Sequence, residues 1–392
     1  MFSHNPGTPI SPIVAPEVLC YPLVDRLAVT VTVTHSRSVI VSCNHGSRRH
    51  LVVTTEQSSL IVSGPMAPNQ CGATSTSSVL VVANALLQSD VLTVVKRATS
   101  EYIGEPWDWH DFVDLADRAS HPCGIFRGRV LSVFAKLSTD PGGMELFEAE
   151  LKGLVLLRTA AKARTPTPVG SGRFVVHHGT SLLLSEGLFG RHGDSRTSED
   201  WRAMGQALAA LHRTRGHHFG LDDFDGFFGP LPQDNRSTGS DRWSDFYAER
   251  RLAPRLREAF NSGYLPMTLA DGVERIIRRI GSFSGPEPQP TLLHGDPQPN
   301  NFVSTDVGPV LVDAAPYFGH PEADLALVDW TQPVPAGLFD GYKVEIPIDS
   351  GFFERRELWR LHAYLAAVAV VGQTALGRSS LQGISSAIEF YR

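Results

Sequence analysis

Residues 292–324 read LLHGDPQPNNFVSTDVGPVLVDAAPYFGHPEAD, and the fold of the chain turns on this stretch. A short apolar run leads to His294-Gly295-Asp296, and Asn301 follows Asp296 by five positions. Pro309-Val310-Leu311-Val312 then has strand composition and ends on Asp313. A surface loop followed by a hairpin with an acidic end would also contain His-Gly-Asp. The three groups taken together carry the argument: an Asp, an Asn at a fixed interval, and an Asp closing a strand.

Phosphoryl transfer from ATP requires this layout. One carboxylate accepts or orients the proton of the attacking hydroxyl, while a second carboxylate and an amide oxygen hold Mg²⁺ on the phosphates. The interval from Asp296 to Asn301 equals that of the protein-kinase catalytic loop. Asp296 is the expected base, and Asn301 and Asp313 are the expected metal ligands. At these residues the stretch resembles the fructosamine/ketosamine kinases, within the aminoglycoside-phosphotransferase and protein-kinase-like enzymes. That family carries HGDLWxGN, a strand, then an Asp followed by Tyr-Gly-His and an acidic Asp-Leu-Ala segment. The matching residues are His294, Gly295, Asp296, Asn301, Asp313, Tyr317, Gly319, His320, Glu322, Asp324, Leu325 and Ala326. The departures are Pro297 and Gln298 for Leu-Trp, and Asn300 for Gly.

The resemblance runs from about residue 110 to the C-terminus and implies further roles. Lys136 resembles the lysine that grips the α/β-phosphates, and Glu150 the helical acid that holds it, with Glu148 the alternative in a shifted register. Glu186, Gly187 and Leu188 fall where the lobes join and adenine bonds to backbone. The turn covering the phosphates is placed at His121-Pro122-Cys123-Gly124, between strands running out from residue 111 and returning over Val130–Leu137. It lacks GxGxxG. Cys123 in such a turn is either a small inert side chain or a thiol activated by backbone N–H groups. Trp243, Phe246 and Tyr317 are expected to face a sugar ring, and Gln298 offers the acceptor an amide in place of a flat Trp. His212 is read as a helix-end feature and His217-His218 as lacking ligand spacing.

The rest of the chain sets bounds. Its 392 residues suit more than one compact core, and 42% hydrophobic content suits a globular protein. A net charge of −6 without a basic block argues against a nucleic-acid partner. No apolar run approaches membrane-spanning length, and Pro6, Pro9, Pro12 and Pro16 interrupt any signal-peptide core. The four cysteines lack CxxC or zinc spacing, which goes with reduced thiols and a cytoplasmic setting. Residues 1–95 hold eight charged side chains and no Lys. Segments 28–34 and 50–55 have β-forming composition, and Gly72–Ser78 suggests poor packing. A small β domain, a disordered extension and a misplaced start, with Met66 as the alternative, compete, and the Ser/Thr/Pro/Gly content favours the latter two.

The expectation is therefore an α+β, two-lobed, kinase-like fold. Residues 1–95 form a low-charge extension, 96–187 a β-rich N-lobe and 188–392 a mainly helical C-lobe. ATP and Mg²⁺ sit between the lobes, with a small-molecule hydroxyl acceptor, a ketosamine by resemblance. An antibiotic or other small-alcohol phosphotransferase would share these residues. A kinase-like binding protein without turnover is the reading from another class. The oligomeric state is left open.

Overall fold

The computed structural model describes residues 29–33, 38–43, 51–54, 84–115, 121–177 and 179–392. The chain forms two compact units, Met1–Leu80 and Val81–Arg392. In the first, β1 (Val29–Val33), β2 (Ser38–Cys43) and β3 (Leu51–Thr54) make an antiparallel sheet in the order β1-β2-β3. β1 and β3 fall on the two segments with β-forming composition, and β2 is an addition. Met66 and Gly72–Ser78 lie outside the described residues.

The second unit has two lobes, each with its own core. Helix α1 (Ser89–Ile103) opens it, burying Val91, Val94, Val95 and Ala98 on one stripe. Gly104 ends the helix with φ 78°, a left-handed value that glycine takes without a Cβ penalty. The buried stripe shares one core with Phe126, Val133, Ala135, Leu182 and Leu184 of the sheet. A division at 95/96 therefore runs through α1, because the first half of the helix is buried in the N-lobe.

The N-lobe sheet is antiparallel, in the order β4-β5-β6-β8-β7. Its strands are β4 (Trp109–Asp114), β5 (Cys123–Gly128), β6 (Val133–Ser138), β7 (Pro168–Val175) and β8 (Ser181–Glu186). Helix α2 (Gly143–Ala161) crosses from β6 to β7. The expected single hairpin is thus three strands. Cys123 is not in a turn: it opens β5, is buried, and pairs across the sheet with Lys136. Residues 116–120 of the β4–β5 connection lie outside the described residues.

The C-lobe is mostly helical. Helix α3 (Ser198–His212) starts at a capping box in which Thr197 and Asp200 satisfy each other's backbone N–H. The hairpin β9 (Gly226–Phe228)–β10 (Leu231–Gln233) follows. Next, α4 (Trp243–Phe246) passes through a π-helical turn, Tyr247–Leu252, into α5 (Ala253–Asn261), and α6 (Met267–Arg279) leads towards the site. Four short strands frame the quoted stretch: β11 (Thr291–Leu292), β12 (Phe302–Thr305), β13 (Gly308–Leu311) and β14 (Phe318–Gly319), paired β11–β14 and β12–β13. Helices α7 (Pro321–Leu327), α8 (Ala336–Glu345), α9 (Phe352–Val371) and α10 (Ala375–Phe390) complete the lobe. No described helix is long and apolar enough to cross a membrane.

Candidate active site

The His-Gly-Asp segment leaves β11 and turns sharply at Gly295, whose φ is 86°. A Cβ there would lie 2.0 Å from the carbonyl oxygen of Ala315, so only glycine fits. The segment hangs on Asp324 of α7. One carboxylate oxygen accepts the His294 N–H at 2.7 Å, and the other accepts the Gly295 N–H at 3.0 Å. His212 lies 3.2 Å from the same carboxylate through Nε2 and 2.8 Å from the Tyr342 hydroxyl through Nδ1. All of this is buried, so the loop is held by charge-assisted bonds in a low dielectric. His212 is therefore a support of the catalytic loop as well as a helix-end residue. Nothing in its sequence spacing signals that, since Asp324 lies 112 residues away.

Asp296 is half-buried beyond this anchor, and an amide holds each of its carboxylate oxygens. Gln298 Nε2 donates to Oδ1 at 2.7 Å, and Asn301 Nδ2 donates to Oδ2 at 3.1 Å and to the Asp296 carbonyl at 2.8 Å. Burial is the main force raising its carboxyl, to about 7; the Asp313 charge adds to it and the two amides oppose it. A group titrating there suits acid–base work near neutrality.

Asp313 follows β13 with φ 53°, a left-handed backbone that a non-glycine residue adopts at a cost of about 1–3 kcal/mol. That bend turns its carboxylate towards the N-lobe. Lys136 Nζ meets Asp313 Oδ1 at 2.5 Å and Glu150 Oε2 at 3.0 Å. Lys136 comes from β6, Glu150 from α2 and Asp313 from just past the end of β13, so the triad joins the two lobes. Burial works to lower the lysine's pKa, but the two carboxylates outweigh it and hold it above its usual value. One lysine does not neutralise both acids. Glu150 is raised to about 7, mainly by burial and against the pull of Lys136, while for Asp313 that pull overcomes burial and keeps its carboxyl low. Glu148 instead pairs with Lys152 and Arg173, so the register that selects Glu150 is the one formed.

Two adjoining cavities of about 220 Å³ each meet here, sharing Glu150, Asn300, Asn301 and Asp313. The first holds Lys136, Asp296, Gln298 and His121, with Phe224 and Gly226–Gly229 opposite. The second is more apolar, with Val113, Ile125, Leu183 and Val303 among its walls and Glu186 and Leu188 at its edge. Gly187 is not in that wall; its N–H is used by the Ser132 carbonyl at 2.8 Å.

The three aromatics expected to face the acceptor lie elsewhere, and Phe246 is fully buried, stacked between Trp243 and Tyr317. Trp243 is fully buried against Phe219, Phe246, Tyr247 and Trp359. Tyr317 is buried between Phe246 and the Arg251 guanidinium, 3.9 Å from its ring. All three are core side chains, and none lines either cavity. The β9 hairpin and His121, a residue of the segment expected to cover the phosphates, line the first cavity in their place. Among the described residues, no cluster of three or more His, Cys, Asp or Glu is arranged to hold a metal. Asn301 and Asp313 supply oxygen donors, and the Asn301 N–H bonds go to Asp296, which leaves its amide oxygen for an ion. Two protein oxygens completed by phosphates is a donor set that suits Mg²⁺.

The sequence profile of the fructosamine kinase family matches residues 92–384. A Synechocystis sp. protein assigned as a ketoamine kinase is 35% identical over 225 residues, covering 56% of this chain and 72% of that one. The crystal structure of a Thermobifida fusca protein assigned as a fructosamine-3-kinase superposes with a TM-score of 0.64 at 27% identity, covering 75% of this chain and 98% of that one. An aminoglycoside phosphotransferase, solved with AMP-PNP and hygromycin B, shares the fold alone, at a TM-score of 0.53 and 14% identity over 76% of this chain and 98% of its own. With the kinase-like two-lobed fold and a profile match over most of its length, the chain belongs to the fructosamine kinase family and is a kinase.

Proposed function

We propose that the protein transfers the γ-phosphoryl group of Mg·ATP to a sugar hydroxyl of a ketosamine. The observation that carries this is the opening of Asp296, Lys136 and Asp313 onto one cavity. Asp296 takes the proton of the acceptor hydroxyl as its oxygen bonds to the γ-phosphorus and the bond to the β-phosphate oxygen breaks, releasing ADP. Lys136, held by Glu150, binds the phosphates. Asn301 and Asp313 would hold Mg²⁺, which supplies neutralisation of phosphate charge. Adenine lies in the more apolar cavity, against the Glu186–Leu188 edge. The ketosamine assignment is supported by what the Synechocystis and Thermobifida proteins are named for. A cytoplasmic setting fits the four cysteines without zinc spacing.

A second reading, transfer to an antibiotic or other small alcohol, shares every residue of this step. The lack of a flat Trp after His-Gly-Asp, where Gln298 stands instead, favours it. ATP consumption with fructosyl- and ribulosyl-amines, beside aminoglycosides, macrolides and amino alcohols, separates the two. Turnover of the amines alone is expected; turnover of antibiotics alone sinks the ketosamine reading. Asp296→Asn should keep the fold and lose on the order of 10²–10⁴ in rate, the loss typical of a removed general base.

A further inference from the structure

Gln298 stands between Pro297 and Pro299, and the following proline restricts it to extended backbone, observed at φ −61° and ψ 150°. The side chain is thus carried on a backbone with little freedom. Its amide is used at both ends. Nε2 donates to Asp296 Oδ1 at 2.7 Å, and Oε1 accepts the Thr331 hydroxyl at 2.9 Å. Thr331 lies between α7 and α8, so the amide ties the Asp296 loop to a separate part of the C-lobe. Asn301 holds the other carboxylate oxygen. One amide on each oxygen fixes the plane of the carboxylate, which a single amide would leave free to turn.

We infer that Gln298 is a positioning residue of this kinase: anchored by Thr331, its amide fixes the orientation in which Asp296 meets the acceptor hydroxyl. The inference rests on the kinase reading above. It differs from a role in acceptor binding, which would use the amide on the substrate. Here the amide oxygen is committed to Thr331 and one N–H to Asp296. A bystander glutamine would be indifferent to loss of Thr331, whereas this arm depends on it.

The test uses the full chain with steady-state kinetics on an acceptor it turns over. Gln298→Met keeps the length and removes the donor. It should lower kcat by roughly ten- to a hundredfold, the scale of a misplaced reacting group, with KM for ATP unchanged. Gln298→Glu keeps length and the Thr331 bond but lacks the N–H, and should be no better than Met. Thr331→Val should lower kcat by about two- to tenfold, as for one neutral hydrogen bond. The double variant Gln298→Met/Thr331→Val should match Gln298→Met alone. Wild-type kcat in Gln298→Met, a rise in acceptor KM without a change in kcat, or additive losses in the double variant each overturn the inference. Absence of wild-type turnover across the whole panel counts against the kinase reading instead. In that event, the same double-variant cycle in thermal stability reads the arm directly, with additive losses overturning it.

Discussion

Asn301 serves two groups at once, and that separates its contribution from that of Asp313. Its N–H bonds hold Asp296, while its amide oxygen is the proposed ligand of the ion. Asp313 touches Lys136 and no part of the base. Asn301→Asp therefore keeps an oxygen ligand but removes the donor to Asp296. It should retain the Mg²⁺ response of wild type while losing kcat by about a hundredfold, as expected for a misaligned group. Asp313→Ala should lose productive Mg·ATP use at every metal concentration, because charge on the transferring group is left uncompensated. Titrating rate against Mg²⁺ for both variants checks this, and a wild-type response in Asp313→Ala would remove it from the metal site. The motif of Asp296, Asn301 and Asp313 was readable in advance because it lies at fixed spacing within one short stretch, and the fold brings all three to one cavity. Trp243 and Tyr317 were not: an aromatic residue beside a catalytic motif reads the same whether it faces a ligand or the core.

The α3–α8 contact shows how elements hold the catalytic loop in place. The two helices approach until a Cβ on Gly205 would lie 1.9 Å from the Leu338 carbonyl oxygen, and one on Gly341 would lie 2.1 Å from that of Arg202. The close approach brings His212 of α3 to Tyr342 of α8, and the other ring nitrogen of His212 meets Asp324. Alanine would ordinarily strengthen a helix interior by about 1 kcal/mol over glycine. Here the clash is with backbone, which yields little, and overpacking costs about 1–3 kcal/mol. Gly205→Ala should therefore lower the melting temperature, and should lower kcat as well through the displaced Asp324 anchor. A raised melting temperature would show that the helices part without cost. Sequence periodicity finds α3, since Met204, Leu208 and Leu211 recur at helical spacing. It says nothing of which helix lies against α3.

Over the whole molecule, buried histidines and buried acids set opposing pH dependences. Burial pushes His294 and His320 down to about 4 and lowers His362 as well. All three stay neutral in the folded chain while the unfolded chain takes their protons near 6.5, so stability falls as pH drops below 6.5. Asp296 and Glu150, raised to about 7, act the other way, because the folded ligand-free state takes their protons first. His121 is lowered too, mainly by burial, so among the described residues the histidines outnumber the two acids, and stability falls by on the order of 1 kcal/mol or more per pH unit between about 6.5 and 4.5. Urea midpoints of the free protein should be lower at pH 5 than at 6.5, and His362→Leu should flatten the difference. An unchanged or higher midpoint at pH 5 in wild type would mean that these histidines are not buried neutral. The same scale divides what sequence and tertiary structure each determine. By itself the sequence determined the Asp296–Asn301–Asp313 set, carried by spacing within one short stretch; the two-lobed fold and the Lys136–Glu150 pair followed from the family resemblance of that stretch and its surroundings. Only the folded structure decided that α1 belongs to the N-lobe, that Cys123 is a strand residue, that Asp324 and His212 carry the loop, and that the Gln298 amide is bonded to Asp296. Those depend on which surfaces meet, and burial and hydrogen bonding between residues distant in sequence are properties of the packed chain.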